Sequence, residues 1–112
     1  MENVIIHTND WVWGTSVDII RDNGTAYICV KFDKEYPDVA YLCALSVYEP
    51  VRRLGLGKIM MAYALLIAQR NDKSWARLYV EKDKEWLVQW YKSLGFKIFM
   101  EDDKYYEMTK SL

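Results

Sequence analysis

Val51-Arg52-Arg53-Leu54-Gly55-Leu56-Gly57-Lys58 lies between two segments of different hydrophobic period. Before it, Val39 to Val47 is a near-continuous apolar run, which predicts a central strand buried on both faces. After it, from Gly57 to Arg70, Ile59, Met60, Tyr63, Ala64, Leu66 and Ile67 recur at helical spacing. The stretch is therefore a strand-to-helix turn. Its two glycines let a ligand approach the backbone without Cβ atoms in the way. The first helical turn leaves N–H groups free and carries positive dipole charge. Arg52, Arg53 and Lys58 add cations, and the combination suits a phosphate or pyrophosphate. A tight turn with solvated basic side chains is the alternative reading. A Walker A loop is excluded, because Ile59 follows Gly57-Lys58 and Arg52 stands where its first glycine belongs. A dinucleotide fingerprint is excluded, because Met60 stands where its third glycine belongs. The spacing Arg-x-x-Gly-x-Gly of Arg52, Gly55 and Gly57 remains.

Outward from that turn, residues 14–33 read as a hairpin, with Asn23-Gly24 supplying a type I′ turn. Val4 to Thr8 is open between a further strand and irregular chain. Asn71-Asp72 ends the first helix, and Trp75 to Val80 is a strand. Lys84 to Leu94 is a second helix, with Trp86, Leu87, Trp90, Tyr91 and Leu94 on one side. Gly95 falls where a helix C-terminus favours a left-handed residue. Phe96 to Met100 and Tyr105 to Thr109 close the chain as two strands around Glu101-Asp102-Asp103. The order β-β-β-α-β-α-β-β predicts an α+β fold with helices packed on a mixed sheet.

The 112 residues allow one domain, 1–112, and 52% hydrophobic content is too high for a disordered tail. Lys plus Arg number 15 against 16 Asp plus Glu. That net charge of −1 argues against a dedicated nucleic-acid partner, which needs excess cations. No apolar run is long enough to span a bilayer, and no signal peptide is visible, so the expectation is a cytoplasmic protein away from membranes. Cys29 and Cys43 fall in apolar runs and read as buried reduced thiols. With one histidine beside them, a metal site is not expected.

A second motif follows at the right distance, after an intervening helix and strand: Trp90-Tyr91-Lys92-Ser93-Leu94-Gly95-Phe96. It resembles the aromatic-Tyr-x-x-x-Gly-Phe segment of the GNAT superfamily of acyl-CoA-dependent N-acyltransferases. Arg52, Gly55 and Gly57 match that family's pyrophosphate loop, and Leu45-Ser46-Val47 resembles the end of the strand preceding it. The resemblance covers roughly residues 14–110 and implies a GNAT-like fold with a mostly antiparallel mixed sheet. It is N-terminally abbreviated, since only about 13 residues precede the hairpin where most members carry a strand and two helices. Lys84 stands where many members have Asn.

The resemblance implies acetyl-CoA as cosubstrate and a primary amine on a small molecule or peptide as acceptor. Carried over, the backbone of Leu45 and Val47 holds the pantetheine and the thioester carbonyl. Arg52, Arg53, Leu54, Gly55, Leu56, Gly57 and Lys58 form the pyrophosphate loop. Tyr91 donates a proton to the departing thiolate; as a residue on an amphipathic helix it also reads as a core tyrosine. Glu49, Glu81, Asp38 and Asp33 are candidate bases. Tyr41 and Tyr79 stand where some members place a catalytic Glu, which leaves a water chain as an alternative. Trp11 and Trp13 either line an acceptor pocket or cover a core edge. Exposed aromatics at Trp11, Trp13, Tyr36 and Tyr105-Tyr106 predict a homodimer. The competing function is a CoA-binding domain with little activity, a sensor or assembly component.

Overall fold

A computed structural model describes residues 4–21, 24–47 and 56–112. The elements are β1 (Val4–Trp11), β2 (Gly14–Arg21), β3 (Gly24–Phe32), β4 (Val39–Val47), α1 (Leu56–Arg70), β5 (Trp75–Glu81), α2 (Glu85–Ser93), β6 (Lys97–Glu101) and β7 (Tyr105–Ser111). They form a seven-stranded sheet in the order β1-β2-β3-β4-β5-β7-β6. Every neighbouring pair is antiparallel except β4 and β5. The open N-terminal segment is thus an edge strand, paired from Val4↔Arg21 to Trp11↔Gly14. Gly24 opens β3 opposite Arg21 and belongs to the strand, not to the turn expected of it; Asn23 lies outside the described residues.

Gly14 has φ +148, and a Cβ there would fall 1.9 Å from the Val30 carbonyl oxygen. Only glycine lets β2 start this close to β3. Asp72, with φ 60, ends α1, and the Asn71 side-chain amide donates to the Ile67 carbonyl at 2.8 Å. Gly95 ends α2 with φ 96, as its position in the sequence requires.

One face of the sheet carries the core. Val17, Ile28, Val30, Ala40, Leu42, Ala76, Leu78 and Val80 pack with Met60, Met61, Ala64 and Ala68 of α1 and Val88 and Tyr91 of α2. Leu66 and Trp86, expected on the inward helix faces, are exposed. The inward stripe of α1 includes Ala64, as expected, and also Ala68, and these small side chains let the helix lie close to the strands.

The other face differs from the expectation for β4. Tyr41 and Cys43 are only half-buried, so this strand is not sealed on both sides. Among the described residues no helix covers that face. Cys29 is buried, and both thiols are free.

Candidate active site

The parallel pair β4–β5 is brief. It joins Val39↔Trp75, Ala40↔Ala76 and Tyr41↔Arg77, and there it stops. β4 continues to Val47 against β3, and β5 continues to Glu81 against β7. Beyond Tyr41 and Arg77 the two strands part, leaving a wedge between their C-terminal ends. Facing strand edges that do not pair with each other offer backbone donors and acceptors to a third, extended chain. A wedge at the carboxyl ends of parallel strands is also where α/β sheets bind ligands.

β4 is bulged inside this wedge. Tyr27 pairs with Ser46 and Cys29 with Cys43, so Ala44 and Leu45 together oppose Ile28. A bulge re-aims backbone groups and ends regular pairing. The backbone positions of Leu45 and Val47 thus lie at the bulged end of β4. The α1 N-terminus follows. Its first turn holds Leu56, Gly57 and Lys58 and carries no acidic residue of its own to offset the positive dipole end. Arg52, Arg53, Leu54, Gly55 and Glu49 lie outside the described residues.

Tyr91 projects from α2 into the core and is 4% exposed. Its ring meets Phe96 edge-on at 5.9 Å and lies against Trp90 at 5.3 Å. Its carbonyl accepts the N–H groups of Leu94 and Phe96 at 3.0 and 3.1 Å, fixing the chain reversal after the helix. Burial pushes the phenol well above its ordinary value, so the proton stays on the oxygen. Lys84 is the N-cap of α2, makes no side-chain cap bond, and faces Glu81 at 3.7 Å.

The opposite, uncovered face holds a cleft of about 760 Å3. Trp13, Lys31, Asp33, Tyr41, Cys43 and Tyr79 are among its walls. Tyr41 marks the last parallel pair, while Cys43 and Tyr79 are the next same-face residues on the diverging strands. The cleft therefore opens onto the point where the strands part. Burial first, then the Glu107 carboxylate, raises the Tyr79 phenol. Burial also raises the Cys43 thiol, which disfavours a nucleophilic thiolate. Trp11 stacks on Trp13 at 6.0 Å, and the Trp11 indole donates to Ser16 at 2.9 Å.

Of the carboxylates suggested by the sequence, Asp33 reaches this cleft. Asp38 does not: its carbonyl accepts the N–H groups of Ser74 and Trp75, at the closed end of the β4–β5 pair. Glu81 is engaged with Lys84 at the far end of β5. Two residues escaped the sequence reading, Arg77 and Glu107. Glu107 Oε1 accepts the Tyr79 hydroxyl at 3.2 Å and lies 3.6 Å from Arg77 Nε. The period-two alternation of β7 puts Glu107 on the Tyr105 face, but not beside Tyr79.

The acetyltransferase (GNAT) family model matches residues 10–96. The chain belongs to the GNAT acetyltransferase family. Over 82 residues it is 27% identical to a probable N-acetyltransferase of Drosophila melanogaster, san, covering 71% of this chain and 45% of that protein. The chain thus spans less than half the length of that curated relative. Ard1 from Thermoplasma volcanium has the same fold, with a TM-score of 0.76 at 21% identity over 87% of this chain and 70% of that one. The PaiA N-acetyltransferase of Thermoplasma acidophilum, solved with coenzyme A, gives 0.78 at 21% identity, over 87% and 60%. The GNAT fold expected from the sequence is thus present, with a mixed sheet and helices packed on it.

Proposed function

We propose that this chain is an acetyl-CoA-dependent N-acetyltransferase that passes an acetyl group to a primary amine by direct attack on the thioester. The wedge between β4 and β5 carries the reading, because it provides two strand edges for an extended, amide-bearing pantetheine arm. The backbone of Leu45 and Val47 holds that arm and the thioester carbonyl. The N–H groups of Arg53, Leu54, Gly55, Leu56, Gly57 and Lys58 hold the pyrophosphate, and Arg52 adds charge.

The amine enters from the Tyr41–Tyr79 cleft and meets the carbonyl carbon where the strands part. The Val47 N–H stabilises the oxyanion. The new C–N bond forms, the C–S bond breaks, and Tyr91 gives its proton to the leaving sulfur. Burial keeps the phenol protonated at rest but also makes it a weaker acid, so the transfer depends on a direct hydrogen bond to the developing thiolate. No metal takes part in this scheme.

The test is calorimetric titration with CoA, followed by thiol release from acetyl-CoA with a panel of amines. Binding with amine-dependent thiol release supports the reading. Binding without release leaves a CoA-binding sensor or assembly component, and no binding removes the reading.

The reading extends to a homodimer. The edge strands β1 and β6 and the exposed Trp11, Trp13, Tyr36 and Tyr105 support it. Light scattering at micromolar concentration giving a mass near 13.3 kDa would remove the dimer.

A further inference from the structure

We propose that Glu107, reached through the Tyr79 hydroxyl, takes the proton that the acceptor amine gives up. The proposal rests on the transferase reading above and supplies the base which that reading lacks. Tyr79 is 60% exposed and lines the cleft where β4 and β5 diverge, so its hydroxyl is open to an incoming amine. That hydroxyl donates to Glu107 Oε1 at 3.2 Å. The bond is long for O–H···O, as hydrogen bonds of an unliganded site often are before substrate tightens them.

Glu107 is held close to this hydroxyl by the strand register. Its side chain is 13% exposed, on β7, directly opposite Tyr79 in the register. From β5, the groups facing it are Tyr79 and Arg77; its β6 register partner is Met100, which does not titrate. Its same-face neighbours on β7 are Tyr105 and Thr109. Arg77 Nε stands 3.6 Å from the same carboxylate oxygen, close enough for charge attraction but without a hydrogen bond. The guanidinium is itself held 4.7 Å from the Phe99 ring centre. Oε1 thus lies between the Tyr79 hydroxyl, whose proton it already accepts in a hydrogen bond, and the Arg77 guanidinium.

The step balances as follows. As the amine nitrogen bonds to the thioester carbon, its proton passes to the Tyr79 oxygen. The Tyr79 proton passes at the same time to Glu107, which later returns it to solvent. Tyr79 starts and ends as a neutral phenol, so no tyrosinate is formed. This fits a hydroxyl whose ionisation is disfavoured by burial and by the adjacent carboxylate. Tyr79 is the catalytic residue here, because it touches the amine. Glu107 is the positioning residue that aligns the hydroxyl and drains its proton.

The experiment compares wild type, Tyr79→Phe, Glu107→Gln and the double variant. Each is titrated with CoA, then assayed with acetyl-CoA against spermidine, lysine ethyl ester and a peptide mixture bearing free α-amines. Both single variants are expected to keep CoA affinity and the KM for acetyl-CoA. Their kcat is expected to fall about 10²-fold, and the double variant no further than the lower single, because one relay is lost only once. A purely structural role for Glu107 would move KM or the melting temperature instead. Tyr79→Phe keeps an exposed ring and tests the relay even if Glu107→Gln folds poorly. Wild-type kcat in Tyr79→Phe, or additive losses in the double variant, overturns the relay alone. A wild-type chain that binds CoA but releases no thiol with any of the three amines overturns the transferase reading and the relay with it.

Discussion

Arg77 lies with its guanidinium carbon 6.0 Å from the centre of the Tyr41 ring, and these two residues are the last register partners of the parallel β4–β5 pair. The point where the strands part is thus braced by one cation among two aromatic rings and a carboxylate. Arg77→Leu removes the brace and leaves Glu107, 13% exposed, without its counter-charge. A loss of about 1–3 kcal/mol is expected, read as a lower urea midpoint at unchanged slope. A midpoint equal to wild type would show that the wedge closes without it.

CoA binding is expected to stabilise the fold. Ligand at 100 times its dissociation constant adds about 2.7 kcal/mol when it binds only the folded chain. Gly57→Val places a branched side chain in the first turn of α1, where the pyrophosphate has to approach. The thermal shift with millimolar CoA is expected in the wild type and abolished in this variant. A shift of equal size in both would move the pyrophosphate away from α1.

Tyr91 gives a pH prediction. Its folded-state phenol is raised above the ordinary 10.0 by burial. Below that value the phenol is protonated both folded and unfolded, so it adds no slope. Above it, the unfolded chain ionises while the folded one resists, and stability declines as pH rises. Tyr91→Phe is expected to flatten part of the loss of melting temperature above pH 10; Tyr27 and Tyr79, also raised, keep the remainder. The same substitution is expected to lower turnover about 10²-fold with CoA affinity unchanged. Unchanged turnover with chemistry rate-limiting would leave Tyr91 as core alone.

Local elements were legible because their signals are local. Asn71-Asp72 stops a helix through its own side chain and a left-handed residue, and Gly95 does so through φ 96. The glycine turn and the Tyr91 segment carried the resemblance to the family for the same reason, and the family model matches residues 10–96. The sequence singles out Tyr41, Tyr79, Asp33 and Trp13, which line one cleft, but the contact between Tyr79 and Glu107 was not legible. Tyr79 and Glu107 are 28 positions apart, and they meet because β7 inserts between β5 and β6. No spacing rule reports that strand order. The apolar run through Leu42 likewise hid that Tyr41 and Cys43 face an uncovered surface. Helical spacing places Leu66 on the inward face, but the helix turns it outward and buries Ala68 beside the expected Ala64.

Gly14 and Gly95 both have positive φ, yet their replacement by alanine is expected to differ sharply. At Gly95, a Cβ meets the Lys110 Nζ at 2.6 Å, the far end of a flexible side chain. That amine donates to the Leu94 carbonyl at 2.7 Å and can swing away. Gly95→Ala then costs the left-handed backbone penalty, about 1–2 kcal/mol. At Gly14, the Cβ meets the Val30 carbonyl oxygen at 1.9 Å, which is backbone of the adjoining strand. Relief requires β2 to move off β3 beside Trp13, whose carbonyl accepts the Phe32 N–H at 2.8 Å. Gly14→Ala is expected to cost more than about 4 kcal/mol, in the exceptional range for one substitution. Urea denaturation of the two variants side by side measures the difference. Equal midpoints would mean that the β2–β3 start is not as tightly closed as the 1.9 Å approach requires.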